Sequence, residues 1–256
     1  MIPLRDDVPS RSVPFVNYGL IAANVAMFLV EVGMGNRLEG FFQRAAVIPA
    51  LYTGGDGALS VFEVVGTSLD PGLGGRVLTA MFLHGGIAHL LGNMLYLWIF
   101  GDNVEDRMGH LRYLAFYLIC GWVASYAHVW ASPTSTLPAL GASGAIGGVL
   151  GAYITLYPHA RVVTLIPLGI FIQLVAIPAV FLLGFWFLQQ FILGTTSLGA
   201  PESQGGGVAW WAHIGGFAAG FVLVWVFQKR DRRPGARDAW WQEPRWRDSP
   251  GRHRGW

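Results

Sequence analysis

The chain has 256 residues, 53% of them apolar and only 12% charged. A soluble domain of this size carries about twice that charged fraction, and here the charges are also segregated, leaving long uncharged stretches. The composition therefore excludes an ordinary soluble enzyme and points to a polytopic membrane protein. The single cysteine, Cys120, lies inside an apolar run, so no disulfide framework is available.

The formal net charge of +2 says less than its distribution, because more than half of the Lys and Arg residues fall between Lys229 and Trp256. That stretch is expected to be a disordered, basic cytoplasmic tail that meets anionic lipid headgroups rather than nucleic acid. At the other end, residues 1–13 lack the short apolar core and small-residue site of a cleavable signal. The first apolar run is accordingly expected to stay in the chain as a span.

Apolar runs of about twenty residues occur at 14–33, 85–101, 111–130, 139–157, 166–193 and 207–227, and predict six membrane-spanning helices. Between the first two, residues 34–83 include Arg37-Leu38-Glu39-Gly40-Phe41-Phe42-Gln43-Arg44, a mixture of charge and aromatics that suits an interfacial segment. The stretch from Gly194 to Gly207, rich in Gly, Ser and Thr, predicts a mobile loop. The runs are continuous rather than alternating, which argues against a β-barrel. The fold class expected is an all-α polytopic membrane protein: an N-terminal segment 1–13, one six-helix domain over 14–228, and the tail 229–256.

Orientation follows from Lys and Arg. With both ends in the cytoplasm, Arg5, Arg11, Arg107, Arg112, Arg161 and the tail lie inside, and only Arg37, Arg44 and Arg76 lie outside. The inverted arrangement would translocate the basic tail, so N-in/C-in is predicted.

Polar side chains within spans carry the functional signal, because they are costly there. In the N-in arrangement the second, fourth and sixth spans run from outside to inside. His89, Asn93, Ser143 and His213 each lie within the first two turns of one of these spans. At about 1.5 Å rise per residue they fall within roughly 10 Å of one another in depth, just beneath an interface marked by Trp210 and Trp211. His89 and Asn93, four residues apart, share a helix face. Ser143, Gly147 and Gly151 form a stripe flanked by Gly144 and Gly148, and Gly216 and Gly220 form a small-xxx-small pair below His213. Such stripes bring helix backbones close in lipid, as a hydroxyl must be to reach an imidazole on another helix. A lone serine or glycine stripe would mean only packing. Four groups at one depth mean a site.

These motifs resemble those of the prokaryotic six-span rhomboid proteases: His84-x4-His89-x3-Asn93, Gly141-x-Ser143-Gly144, and Ala212-His213 followed by Gly216 and Gly220. The turn Gly101-Asp102-Asn103-Val104-Glu105-Asp106-Arg107-Met108-Gly109 is similar as well, and the likeness covers nearly all of the chain except the tail. The resemblance implies an intramembrane serine endopeptidase of a bacterial inner membrane, its active site opening to the extracytoplasmic side. It implies Ser143 as nucleophile, His213 as general base without a third acid, and an oxyanion hole from His89, Asn93 and the backbone N–H of Ser143. His84, Gly141 and Gly144 take supporting places. It implies no cofactor and no metal, with transmembrane proteins as substrates and the bilayer as the other partner; the oligomeric state stays open.

Two positions depart from the family pattern. An aromatic often follows the serine by one turn and packs on the catalytic histidine, whereas this chain has Gly147. A Trp-Arg pair upstream of the first histidine is here Gly75-Arg76. Glu105 and Arg107 are expected to tie the turn between the second and third spans. The Phe-rich fifth span (Phe181, Phe185, Phe187, Phe191) is expected to gate lateral entry together with the Gly194–Gly207 loop.

Other chemistries fit less well. A zinc protease helix needs His-Glu-x-x-His, which is absent. An aspartyl protease needs two aspartates within spans, and none lies there. Ser143 and His213 argue against a non-cleaving client binder. A transporter should place its polar cluster at the midplane rather than near one face.

Overall fold

A computed structural model describes residues 1–54, 66–67, 70–168, 171–198 and 208–229. In chain order it holds β1 (Ile2–Asp6), α1 (Phe15–Met34), α2 (Leu38–Ala45), α3 (Pro49–Thr53), α4 (Pro71–Ala80), α5 (Ile87–Met108), α6 (His110–Ala131), α7 (Ser143–Leu156), β2 (Arg161–Leu168), β3 (Phe171–Pro178), α8 (Ala179–Ser197) and α9 (Trp210–Phe227). The chain is mostly helical.

Four described helical stretches are long and apolar enough to cross a membrane: Phe15–Ala45, α6, α8 and α9. The 22 residues of α5 are long enough, but its last turns carry Asp102, Glu105, Asp106 and Arg107. The 14 residues of α7 rise only about 21 Å, less than the ~30 Å of a hydrocarbon core. A short helix survives there because its neighbours shield it: every residue from Gly144 to Tyr153 is buried.

Glycine sets how closely those neighbours approach. A Cβ on Gly216 would collide with the carbonyl oxygen of Gly144, one on Gly220 with that of Gly148, and one on Gly151 with that of Phe217. The α7–α9 contact is therefore backbone against backbone, as the small-residue stripes predict.

The expected fifth span, 166–193, is corrected. Arg161–Leu168 and Phe171–Pro178 form an antiparallel β2–β3 pair, with Arg161 opposite Pro178 and Leu168 opposite Phe171, and the helix runs from Ala179 to Ser197. The apolar run hid the change because hydropathy alone does not separate a short apolar strand from a stretch of apolar helix. The β-branched Val162, Val163, Thr164 and Ile166 favour the strand, and Pro178 stands just before the helix. Pro167 lies beyond the part of β2 that pairs with β1, where its missing N–H leaves no gap in that ladder. The helix also takes in Gly194–Ser197, the start of the predicted mobile loop; residues 199–207 and the tail beyond Lys229 lie outside the described residues.

The small sheet, in the order β1-β2-β3, is an addition to the all-α expectation, and it ties residues 2–6 of the N-terminal segment to the rest of the chain. At the same end, Glu105 accepts hydrogen bonds from Val16 N (3.1 Å) and Asn17 N (2.7 Å), satisfying two N–H groups that α1 leaves open at its start. His110 Nδ1 meets the same carboxylate at 2.5 Å. Lys229 N donates to Arg107 O at 2.8 Å, just after α9. The described N-terminal segment, the α5–α6 turn and the end of α9 thus share one end of the molecule. Ser143 is at the other end of α7.

Candidate active site

Ser143 is the first residue of α7, so its N–H has no acceptor within the helix. The approach to it is fixed by backbone. Val47 and Ala139 exchange two hydrogen bonds (3.1 and 2.7 Å), and Gly141 N donates to Ala80 O at 2.8 Å. Gly141 has φ +123°, a conformation that L side chains rarely adopt. A Cβ there would also lie 2.7 Å from Cε1 and Nε2 of His89 and 3.6 Å from Ser143 Oγ. Glycine at 141 is therefore what lets the His89 ring and the serine hydroxyl share this space.

His213, in the first turn of α9, places Nε2 at 2.8 Å from Ser143 Oγ. Its Nδ1 lies 2.8 Å from Gln190 Oε1 of α8. With the amide oxygen accepting, the ring proton sits on Nδ1, and Nε2 is left to accept the serine O–H. Two indoles frame the imidazole: Trp186 at a centroid distance of 6.0 Å and Trp210 at 6.1 Å, the latter edge-on. Gly147 is explained by the same packing. A Cβ there would lie 2.9 Å from His213 O and 3.3 Å from Phe217 N, so no aromatic fits at 147 with α7 and α9 this close. Support for His213 comes from α8 instead.

On α5, Asn93 Nδ2 lies 3.0 Å from His84 Nε2; the amide donates there and keeps a second N–H. The His84 and His89 rings meet at 5.1 Å, near edge-to-face. His84 N in turn donates to Glu31 of α1, at 3.1 and 3.3 Å to its two oxygens. The structure thus brings His84, His89, Asn93, Gly141, Ser143, Gly144 and His213 together.

Three further residues at the site are not marked by the sequence motifs. Glu31 is the one charged side chain between Phe15 and Met34, and that alone distinguishes it. Gln190 is half of a Gln189-Gln190 pair in an apolar helix, and sequence does not say which of the two faces inward. His128, with Ser125, lines a cavity of about 30 Å³ beside Ser143; its Nδ1 is buried without a partner among the described residues. Nothing in spacing linked it to the site.

Residues 74–230 match the Rhomboid domain. RHOMBOID-like protein 4 of Arabidopsis thaliana is 30% identical over 229 residues, 80% of this chain and 50% of that protein. Rhomboid protease GluP of Bacillus subtilis is 38% identical over 149 residues, 58% of this chain and 25% of GluP. Putative rhomboid protease YdcA of the same organism is 28% identical over 168 residues, 62% of this chain and 70% of YdcA. The chain thus spans half or less of the first two relatives. The Rhomboid match takes in α5 to α9, including the helices that carry His89, Asn93, Ser143, Gln190 and His213, and the chain belongs to the rhomboid family.

Proposed function

We propose that this chain is an intramembrane serine endopeptidase that cleaves transmembrane proteins with a Ser143–His213 dyad. The observation that carries the reading is the 2.8 Å contact between Ser143 Oγ and His213 Nε2, with the far nitrogen of the ring already held. His213 Nε2 takes the hydroxyl proton as Oγ attacks the scissile carbonyl carbon. The tetrahedral oxyanion is met by the Ser143 N–H, the second amide hydrogen of Asn93 and the His89 ring. Collapse breaks the C–N bond, and His213 returns its proton to the departing amine. Water then hydrolyses the acyl ester by the same steps. The cavity beside Ser143, about 30 Å³ and bordered by Ser125 and His128, exceeds the ~10–15 Å³ that a water needs.

On this reading six helices, α1 and α5 to α9, cross the membrane with both ends inside, and residues 14–228 form the protease domain. The dyad then opens to the extracytoplasmic side of a bacterial inner membrane. Substrate helices must unwind near that face to present an extended backbone, and α8 with its Phe-rich surface is the element that admits them.

The test is fluorophosphonate labelling of purified protein, together with cleavage of a transmembrane reporter. Wild type labels and cleaves; Ser143→Ala and His213→Ala do neither. Equal labelling of wild type and Ser143→Ala would sink the nucleophile assignment. A wild type that binds the reporter yet neither labels nor cleaves would make the chain a client binder.

A further inference from the structure

One helix outside the motifs contributes a polar atom to the dyad. On α8, Trp186, Gln190 and Gly194 recur at i, i+4 and i+8 and so form one stripe, which faces α9. Trp186 packs on His213 and, at 6.1 Å, on Phe217. A Cβ on Gly194 would touch Ile214 Cδ1 at 3.1 Å, and Gly194 O accepts from Trp211 Nε1 at 3.1 Å. Between them Gln190 is 5% exposed, whereas Gln189 is exposed. An amide in such surroundings is costly unless hydrogen-bonded, and its partner is His213 Nδ1 at 2.8 Å.

We propose that Gln190 is a positioning residue for His213, and that it does with a neutral amide what the acid of a three-residue triad does with a carboxylate. By accepting the Nδ1–H it selects the tautomer whose Nε2 lone pair points at Ser143, and it fixes the plane of the ring. It supplies no countercharge to the imidazolium. A carboxylate in this place would have to be carried on an otherwise apolar membrane helix. An amide achieves the orientation without that burial. Because the acceptor rides on α8, the base is aligned only while the Trp186–Gln190–Gly194 stripe stays docked on α9.

This inference rests on the Ser143–His213 dyad, and its test separates the two. Fluorophosphonate labelling gives kinact and KI for wild type, Gln190→Leu, Gln190→Glu and Ser143→Ala. Gln190→Leu keeps the apolar packing and removes the acceptor. Its kinact is expected to fall roughly ten- to hundredfold, less than the ~10⁴ seen when a charged orienting acid loses its acceptor role, with KI within about twofold. Gln190→Glu restores an acceptor and should recover kinact to within about threefold of wild type. In a spectrum of ¹⁵N-histidine-labelled wild type, His213 should carry its proton on Nδ1. A residue that merely packs α8 against α9 would leave tautomer and rescue unmoved. Wild-type kinact in Gln190→Leu, or a Gln190→Glu as slow as Gln190→Leu, overturns the proposal. If Gln190→Leu does not fold, the wild-type spectrum decides, and a proton on Nε2 overturns it. The dyad itself fails only if Ser143→Ala labels like wild type, a result independent of Gln190.

Discussion

At the scale of single residues, Asn93 has two tasks that substitution can separate. One amide hydrogen goes to His84 Nε2, and the other is proposed for the oxyanion. Asn93→Ala removes both, and loss of one oxyanion donor costs about 10²–10³ in rate. His84→Ala removes only the support and should cost about tenfold or less, because Asn93 remains in place on α5. The ratio of kinact values with fluorophosphonate checks this; equal losses would mean that Asn93 acts only by holding His84. Ser143, His213, His89 and Asn93 stand out in the sequence because each is a polar group in an apolar run, and four together at one expected depth are hard to explain as packing. Gln190 and Glu31 are polar groups in apolar runs too. Their roles stayed hidden because they depend on which face of α8 and α1 turns inward, and that is decided by neighbours rather than by local pattern.

At the scale of elements, the α7–α9 contact sets the dyad distance. A Cβ on Gly216 would overlap Gly144 O, a backbone atom that cannot rotate away. Gly216→Ala must therefore push α9 off α7 and lengthen the 2.8 Å Ser143–His213 contact. A displacement of about 1 Å near reacting groups costs on the order of 100-fold, and kinact should fall by that order. At Gly184, on α8, an added methyl would meet nothing within 4 Å, and Gly184→Ala should label like wild type. Equal labelling of both variants would show that the glycines are not spacing the helices. The small-xxx-small pattern announced this interface from sequence alone. It could not announce the β2–β3 pair, since an apolar run with β-branched residues fits a strand or a helix until its pairing partner is known. That partner for β2 includes β1, more than 150 residues upstream in the pairing of Asp6 with Val162.

At the scale of the whole molecule, that sheet lies at the end away from the dyad, about 21 Å along α7. Asp6 Oδ2 there accepts from Tyr153 Oη at 2.5 Å and Asn103 Nδ2 at 2.8 Å. Burial pushes the Asp6 carboxyl up to about 7; the Tyr153 hydrogen bond opposes this, and the nearby Asp102 and Asp7 add to it. Ionising Asp6 is then harder in the folded chain than in the unfolded one. Its contribution to stability is full below the ordinary carboxylate range and is lost as pH rises through about 7. Asp6→Asn keeps the shape of the side chain without the titration. Wild type should therefore lose thermal stability relative to Asp6→Asn between pH 5 and pH 8, and unfolding of both proteins in detergent at the two pH values measures the difference. Fluorophosphonate labelling at each pH should be the same in wild type and variant, because no group of the site touches Asp6. A labelling difference without a stability difference would mean that the β1 end communicates with the dyad, against the separation that the length of α7 provides.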